Sequence, residues 1–367
     1  MISNKVTHLI TTIERGGAEK QLLTLASEQI KSGLTVEVIF LKGKSELKKE
    51  FEKSGVEVNK LLVGKSFLKQ ISMLFKYLRK NPSPVHAHLP KSELLAAIVV
   101  PNRHFVFTRH NSEPFWPGGP RIISNLLSKF VCKRASQGIA ISNAVRSYLI
   151  KRGEIPTGYI IDVVYYGFQK NGSTNLAGLN SITNFINGQS SNFKIGTIGR
   201  LVPQKDYPTL LSAFSNVLES LPETELHVVG EGYLEKDLIE MSKSLGISEK
   251  VHWLGKMEYI KEFLSKIDLF ILPSKYEGFG LVLLEAMVAK KPIIAANNSA
   301  IPEVVGKTYE GLFSTGDVNA LAQQIKTAIS YKNFSERLVQ SYSSQLSLFG
   351  PSDMNKHIKS IYSNAGF

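Results

Sequence analysis

Short apolar segments of strand length alternate with longer segments of helical periodicity along almost the whole chain. In the first half, the predicted strands are 5–12, 35–41, 56–62, 85–88, 105–108 and 138–141, and the predicted helices are 18–32, 45–54, 66–79, 121–135 and 143–152. In the second half, the predicted strands are 194–198, 225–229, 251–254, 269–272, 292–295 and 311–313, and the predicted helices are 207–219, 235–245, 258–266 and 318–331. Such alternation predicts parallel β-α-β units in doubly wound sheets, and therefore an α/β fold class.

The alternation is interrupted over 167–192, a stretch rich in Asn, Ser and Gly. This composition is typical of a linker, and one short helix is predicted within it near 179–186. A chain of 367 residues is long enough for two α/β domains. The sequence predicts Rossmann-like domains over 1–170 and 193–351, joined by a linker over 171–192. Two such domains are expected to face each other across a cleft that binds ligands.

The formal net charge of +13 is concentrated in the first half. Residues 1–180 contain 26 Lys and Arg against 12 Asp and Glu, whereas 181–367 contain 18 against 19. A basic surface attracts nucleic acid, an anionic membrane surface or an acidic substrate. Because the sequence has no recognised nucleic-acid-binding motif, no nucleic-acid partner is expected.

The sequence predicts a cytoplasmic protein. No apolar segment approaches the roughly 20 residues that span a bilayer, and the single Cys132 excludes an internal disulfide and fits a reducing compartment. Peripheral binding to the cytosolic face of the inner membrane is a further prediction. The segment 65–80 combines basic and large apolar residues at helical spacing, as membrane-surface helices do, and Lys129, Lys133 and Arg134 would add to it. A surface helix with its apolar face in the core would show the same pattern.

Residues 275–287, KYEGFGLVLLEAM, carry the strongest functional signal. They follow a predicted buried strand and lead into a predicted helix, with Glu277 before the glycine loop and Glu285 inside the helix. A glycine loop that enters a helix offers backbone N–H groups and the positive end of the helix dipole, which bind phosphate. A carboxylate at 285 can accept hydrogen bonds from hydroxyls. The motif therefore predicts a site for a sugar nucleotide.

A second motif, GRLVPQKD over 199–206, follows the first predicted strand of the second half. Arg200 and Lys205 would lie at the carboxyl end of this strand, where two cations can neutralise a diphosphate leaving group. The sequence has no Asp-x-Asp pair, which single-domain sugar transferases use to hold a metal on the diphosphate. The two cations and a helix dipole are therefore expected to act without a metal or other cofactor.

The signals in the first half are weaker. Gly16 and Gly17 separate the first predicted strand from the first helix, where glycine lets a ligand approach the backbone. They do not form G-x-G-x-x-G, so no nicotinamide or flavin cofactor is expected, and a plain tight turn remains the alternative. His86, His88 and His110 each lie near a strand end. Their spacing is poor for zinc, and His110 and His88 are expected to hydrogen-bond a substrate hydroxyl instead of binding a metal.

Taken together, these motifs resemble the retaining glycosyltransferases of family 4, which have the GT-B fold of two Rossmann-like domains. The resemblance extends over nearly the whole chain and is most specific in the second half. Glu277 and Glu285 are similar to the family's E-x7-E pair, and Arg200 and Lys205 to its diphosphate-binding cations.

The resemblance implies that a sugar leaves a nucleotide diphosphate and joins an acceptor hydroxyl with retained anomeric configuration, without a metal. The implied catalytic residues are His110, Arg200, Lys205 and Glu277. The implied donor-binding residues are Gly16, Gly17, Gly230, Met257, Gly278, Phe279, Gly280, Leu281, Val282 and Glu285. The implied acceptor-side residues are His88, Arg109 and Asn111. The first domain would bind the acceptor and be completed by a helix over 352–367, and the second would bind the sugar nucleotide.

The donor is expected to be a uridine diphosphate sugar, the commonest choice in the family. The base is expected to contact 254–259, where Glu258 could instead serve guanine. The acceptor is expected to be a lipid-linked glycan or a lipopolysaccharide or capsule-type glycan. The alternative is a sugar-nucleotide 2-epimerase on a similar two-domain fold, which a product assay without acceptor would distinguish.

Overall fold

The computed structural model describes residues 4–101, 103–169, 192–257 and 260–366. Within these residues the chain divides into two compact units. The first unit ends at Gln169 and also includes the C-terminal residues from Leu348, and the second unit ends at Ser347. The second domain was expected to end at 351, slightly later. The predicted linker over 171–192 lies almost wholly outside the described residues, as does its predicted helix.

The described part of the first unit contains a seven-stranded parallel sheet in the order β3-β2-β1-β4-β5-β6-β7. The strands are β1 (Lys5–Ile10), β2 (Thr35–Phe40), β3 (Glu57–Asn59), β4 (Val85–His88), β5 (Phe105–Arg109), β6 (Gln137–Ala140) and β7 (Ile161–Val163). The central strands are buried on both faces, as parallel strands covered by helices require.

The helices of the first unit are α1 (Gly17–Lys31), α2 (Lys48–Lys53), α3 (Phe67–Lys80), α4 (Pro90–Val99), α5 (Arg121–Arg134) and α6 (Asn143–Arg152). Helix α6 shows how local sequence sets these bounds. The Ser142 side chain accepts a hydrogen bond from the Val145 amide, and Gly153 ends the helix in the left-handed conformation.

The described part of the second unit contains a six-stranded parallel sheet in the order β10-β9-β8-β11-β12-β13. The strands are β8 (Phe193–Ile198), β9 (Thr224–Val229), β10 (Val251–Trp253), β11 (Leu269–Leu272), β12 (Ile293–Ala296) and β13 (Leu312–Phe313). The helices are α7 (Tyr207–Leu218), α8 (Glu235–Ser244), α9 (Ile260–Lys266), α10 (Leu281–Val288), α11 (Ile301–Val305), α12 (Val318–Ser330) and α13 (Lys332–Ser341).

The strand orders confirm the predicted α/β class. In each sheet the chain starts at a central strand, winds to one edge, and then crosses back to continue on the other side. This is the Rossmann-like, doubly wound arrangement, in which ligands bind where the strand order reverses. The reversal lies between β1 and β4 in the first unit and between β8 and β11 in the second.

The last helix, α14 (Pro351–Asn364), belongs to the first unit. Its apolar side chains Met354, Ile358 and Ile361 join the core cluster formed with α1, β1 and β2. The Asn355 amide also donates to the Glu28 carbonyl at 3.2 Å. The two ends of the described chain therefore share one core.

Candidate functional site

The strongest candidate site lies at the carboxyl ends of β8 and β11, the neighbouring strands at the reversal point of the second sheet. The Lys205 ammonium lies 2.5 Å from a Glu277 carboxylate oxygen, and both side chains are largely buried. The loop that carries Glu277 is held by Ser299, whose hydroxyl donates to the Glu277 carbonyl at 2.6 Å. Two residues that the sequence assigned to catalysis, 72 positions apart, thus form one ion pair.

Arg200 lies at the edge of the same cluster and is exposed. Its guanidinium donates to the Gln204 side-chain oxygen at 3.4 Å, and the Gln204 amide donates to the Tyr276 carbonyl at 2.9 Å. Gln204, which carried no signal in the sequence, therefore connects the two motif loops. A weak, exposed contact of this kind leaves the Arg200 side chain able to turn towards an anion.

Helix α10 points its amino end at this cluster. Gly280 precedes the helix with φ of 89°, a left-handed conformation that glycine adopts without strain. The Leu281 and Val282 amides then open the first turn, where helix amides lack intrahelical acceptors. Glu285 lies one turn further along and is half-buried. Two cations, Lys205 and Arg200, and a helix amino end thus occur together, and each of these features favours phosphate binding.

The loops that follow β8, β9 and β10 approach one another backbone to backbone at glycines. Gly230 has φ of 142°, and a Cβ at this position would lie 1.9 Å from the Gly199 carbonyl oxygen. Its amide donates to the Gly255 carbonyl at 2.8 Å. Met257 is buried beside this loop, and so is the side chain of Phe279 in the glycine loop. The Phe279 side chain therefore packs in the core, so residue 279 itself can offer a ligand only its backbone groups.

In the first unit, His110 follows β5 and is half-buried. Its Nε2 lies 3.0 Å from Nδ1 of His88, and its Nδ1 lies 2.6 Å from the Tyr166 hydroxyl. His88 is buried and reaches His8 through a 2.9 Å contact. Burial lowers the pKa of His110 to about 3 and that of His8 to about 4, so both rings are neutral near pH 7. His88 and His110, the two histidines expected to bind a substrate, are thus brought together, along with His8 and Tyr166, for which the sequence predicted no role.

Arg109 does not lie where an acceptor could reach it. Its side chain is 4% exposed, and it donates to Glu93 at 2.6 Å and to Glu154 at 3.3 Å. It also donates to the Ser128 hydroxyl at 3.0 Å. Burial raises the pKa of Glu93 to about 7, while the carboxylates around Arg109 raise the pKa of its guanidinium. This placement argues against the predicted acceptor contact, because the guanidinium is already committed to core partners.

The remaining first-unit residues are at least partly exposed. Asn111 donates to the Glu113 carboxylate at 2.8 Å. Gly16 caps α1, where a Cβ would lie 2.2 Å from a Glu19 carboxylate oxygen, and Gly17 is exposed. A larger residue at position 16 would therefore require the Glu19 side chain to move, whether or not a ligand binds there.

Two clusters of described residues have metal-ligand chemistry. In the first unit, His8, His86 and His88 offer nitrogens within 4.8 Å of one another. Every ring nitrogen of the three already has a hydrogen-bond partner, and the rings are at most 2% exposed. Their arrangement is therefore explained by hydrogen bonding alone.

The other cluster is Glu225, His227 and His252 on β9 and β10. A Glu225 oxygen lies 3.2 Å from His227 Nε2 and 3.7 Å from His252 Nε2. The two imidazoles are stacked, with centroids 4.6 Å apart and planes within 18°. An imidazole binds a metal in the plane of its ring, so two nearly parallel rings cannot both point at one ion. Neither cluster overturns the expectation that the protein holds no metal, which stays a prediction.

Two family models match most of the chain between them. The model described as Glycosyltransferase Family 4 matches residues 15–167, and the model described as Glycosyl transferases group 1 matches 183–343. The first matches the unit with the histidines, and the second matches the unit with the Lys205–Glu277 pair.

The chain is 34% identical over 137 residues to N-acetyl-alpha-D-glucosaminyl L-malate synthase of Bacillus anthracis, which is 36% of each chain. It is 31% identical over 133 residues to the GDP-mannose-dependent monoacylated alpha-(1-6)-phosphatidylinositol monomannoside mannosyltransferase of Corynebacterium glutamicum, 34% of each chain. The matched segment thus spans about a third of the length of these relatives.

The whole chain is similar to a solved structure, that of Anabaena HepE in complex with UDP and glucose. The TM-score is 0.81 at 22% identity, with 98% of this chain and 99% of that chain covered. At this identity the similarity establishes a shared fold and leaves the chemistry to be argued from the residues.

Proposed function

Because this chain belongs to glycosyltransferase family 4 and has the two-domain GT-B fold, we propose that it is a retaining, metal-independent transferase. It would move a sugar from a UDP-sugar to a hydroxyl of a lipid-linked glycan or of a lipopolysaccharide or capsule-type glycan. The single observation that carries this proposal is the Lys205–Glu277 pair beside Arg200 at the amino end of α10. The comparisons do not favour the 2-epimerase alternative.

The proposed donor site uses the charges of the second unit. The diphosphate would lie against the Leu281 and Val282 amides, with Lys205 and Arg200 on its oxygens. Charge builds on the diphosphate as the sugar leaves, so preorganised cations stabilise the transition state more than the ground state. Glu285, half-buried on α10, would accept hydrogen bonds from ribose hydroxyls.

Glu277 has two tasks in this proposal. Its 2.5 Å contact holds the Lys205 ammonium in place before the donor arrives. When the diphosphate takes over Lys205, the carboxylate would be released to bind hydroxyls of the transferred sugar. The exchange keeps Lys205 paired with an anion in both states, and the released carboxylate would be compensated by hydrogen bonds from the sugar hydroxyls.

The uridine base is supported by the fold relative described with UDP, whereas the Corynebacterium relative is named for GDP-mannose. Calorimetric titration of UDP-, GDP- and TDP-sugars, each with and without EDTA, separates these options. We expect UDP-sugars to bind in EDTA and the others to bind at least about tenfold more weakly, a difference of about 1.4 kcal/mol. Binding of GDP-sugars alone would reassign the base, and binding only with a divalent ion would refute metal independence.

Retention is tested separately from binding. Proton NMR of the product formed from an α-linked UDP-sugar should show an α-glycosidic linkage from the first turnover. A β-linked product would overturn the retaining assignment while leaving the transferase assignment intact. Accumulation of an epimerised nucleotide sugar without acceptor would instead support the 2-epimerase.

A membrane partner is supported by helix α5, which exposes large apolar side chains. It buries Ser124, Ser128, Val131 and Cys132, while Ile122, Leu126 and Phe130 are 75%, 62% and 40% exposed. These three recur every fourth residue and so form one stripe. An exposed apolar stripe of this kind marks an interaction surface.

Positive charge beside this apolar stripe indicates that its partner is an anionic membrane surface. Lys129 and Lys133 lie on the same side of α5, Trp116 in the preceding loop is 47% exposed, and the first half of the chain carries the basic excess. Apolar side chains beside cations fit the interface of an anionic bilayer. Helix α3, the predicted membrane helix, exposes fewer large apolar side chains, chiefly Leu68 and Phe75. None of the described helices is long and apolar enough to cross a bilayer.

Vesicle sedimentation compares the two helices directly. The triple variant Ile122→Ser, Leu126→Ser, Phe130→Ser should lose binding to phosphatidylglycerol vesicles at low salt. The matched variant Leu68→Ser, Phe75→Ser should retain most of it. Equal binding by neutral vesicles, or loss only in the α3 variant, would remove α5 as the docking surface.

A further inference from the structure

A continuous chain of hydrogen bonds links largely buried side chains of the first unit. It begins at the Tyr166 hydroxyl and passes through three imidazoles, with contacts of 2.6 Å to His110, 3.0 Å to His88 and 2.9 Å to His8. It ends at the Gln29 side chain, whose Oε1 lies 2.7 Å from His8 Nε2. Strands β1 and β4 are adjacent in the sheet, which brings these distant residues into line.

The inner end fixes the direction of the whole chain. The Gln29 amide nitrogen donates to the Tyr362 hydroxyl at 3.3 Å, so its carbonyl oxygen faces His8. A carbonyl oxygen only accepts, so His8 Nε2 must carry the proton. A neutral imidazole has one donor and one acceptor nitrogen, so His8 Nδ1 must accept from His88.

The same logic extends outward. His88 Nε2 donates to His8, which leaves His88 Nδ1 as the acceptor for His110 Nε2–H. His110 Nδ1 then has no proton and accepts from the Tyr166 hydroxyl. Burial raises the pKa of Tyr166 well above its ordinary value, so that hydroxyl keeps its proton. Each imidazole thus carries its proton on Nε2.

We propose that Gln29, His8, His88 and Tyr166 are positioning residues that hold His110 in the Nε2–H tautomer. Resting on the function proposed above, this has a consequence for the substrate. Nδ1 of His110 is held as an acceptor, so a substrate hydroxyl that replaces Tyr166 must approach it as a donor. The orientation of the buried Gln29 amide, three hydrogen bonds away, therefore determines whether His110 Nδ1 accepts a hydrogen bond from a sugar hydroxyl or donates one to it.

The opposite direction is chemically possible, which makes the proposal testable. If the Gln29 amide turned over, its nitrogen would donate to His8, and each histidine would carry its proton on Nδ1. His110 Nδ1 would then donate to the Tyr166 oxygen. The two directions place the His110 proton on different nitrogens, so one spectroscopic measurement separates them.

The experiment is long-range ¹⁵N–¹H correlation spectroscopy of the full chain, with His110 assigned through His110→Gln. In the wild type, His110 should show an unprotonated Nδ1 and a protonated Nε2. Gln29→Met removes the fixed acceptor and should give a mixture of tautomers. Gln70→Met is the matched control, because Gln70 is equally buried but bonds to the Leu41 and Leu62 carbonyls.

A kinetic readout accompanies the spectra. If the two tautomers become equally populated in Gln29→Met, about half of the molecules are competent and kcat should fall about twofold with KM for the donor unchanged. A His110 proton on Nδ1 in the wild type, or an unchanged His110 spectrum in Gln29→Met, would overturn the proposal. The spectra need no turnover, so they decide the tautomer even if the proposed reaction is wrong.

Tyr166→Phe provides a second test should Gln29→Met fail to fold. It keeps the aromatic ring and removes the hydroxyl that donates to His110. The Nδ1 resonance of His110 should shift as this hydrogen bond is lost, while Nε2 stays protonated. No shift at Nδ1 would show that Tyr166 does not end the chain and would also refute the assignment.

Discussion

The two units place polar side chains at the same edge of similar sheets but satisfy them in different ways. In the second unit, Lys205 and Glu277 form a largely buried ion pair, and Arg200 beside them is exposed. In the first unit, His88 and His110 bond to one another and to core residues. The ion pair of the second unit can exchange one partner for a ligand, whereas in the first unit only His110 would do so and the residues behind it hold its geometry. The comparison predicts that changes in the first unit mainly alter stability and changes in the second mainly alter turnover.

The largest expected effect is the response of the first unit to acid. His8, His86, His88 and His110 have pKa values lowered by burial, to about 4 for His8 and about 3 for His110. Below their ordinary pKa near 6.5 the unfolded chain binds protons that the folded chain excludes, so stability is lost as pH falls. From pH 7 to 5, each histidine should cost about 2 kcal/mol. Glu93 acts in the opposite sense, since its pKa is raised to about 7.

The two tryptophans report the units separately, because Trp116 lies in the first and Trp253 in the second. Urea denaturation of Trp253→Phe and Trp116→Phe variants at pH 7 and 5 should show a much larger loss for the first unit. Equal losses would contradict the contrast between the units.

The next largest effect is the loss of stability expected when the buried Arg109 guanidinium is removed. Arg109→Met leaves Glu93 in the core without its cation and leaves Glu154 with only Arg152, and should cost about 3–5 kcal/mol of unfolding free energy. Arg337→Met, which breaks an exposed pair with Glu310, should cost at most about 1 kcal/mol. Normal stability of Arg109→Met with loss of acceptor binding would restore the acceptor-side role expected from the sequence.

Lys205→Ala tests the second unit. It removes a cation from the proposed diphosphate site and should lower turnover by about 10²–10³-fold, while the melting temperature changes little. Release of nucleotide diphosphate measures the rate. Lys243→Ala, from an exposed pair with Glu240 in the same unit, is the control. Near-normal turnover of Lys205→Ala would refute the assignment.

The smallest expected effect compares two glycines with the same backbone. Gly280 and Gly33 have φ of 89° and 87°, so alanine should cost about 1–2 kcal/mol of stability at either position. Only Gly280→Ala should also weaken nucleotide binding, because it precedes α10. Calorimetry measures the nucleotide affinity of both variants, and urea denaturation measures their unfolding free energy. Equal nucleotide affinity would show that the glycine loop is not part of the nucleotide site.

Local sequence patterns were enough to predict most of the strands and the main candidate site. Apolar segments at regular spacing indicated most strands, and the order of strand, glycine loop and helix over 275–287 indicated the amino end of α10. Helix α4 was missed because it begins with Pro90, which also suits a turn, and because it is buried nearly all round and so lacks a polar face. A helix without amphipathic periodicity carries little signal in one sequence.

The histidine chain could not be predicted for a different reason. His8 and His88 are 80 positions apart, and only the register of β1 with β4 brings them together. In the sequence, His8 was simply a polar residue within an apolar strand. The core partners of Arg109 could not be predicted for the same reason, because Glu93 and Glu154 lie on separate elements whose packing no local pattern reveals.

The position of α14 determines when the first unit can finish folding during synthesis. Met354, Ile358 and Tyr362 fill the core of the first unit but leave the ribosome after the whole second unit. At the usual 5–20 residues per second, the first sheet waits roughly 10 to 35 seconds for its last helix. Until then the core around β1 and β2 stays open to solvent, so the nascent chain presents an apolar surface that chaperones can bind.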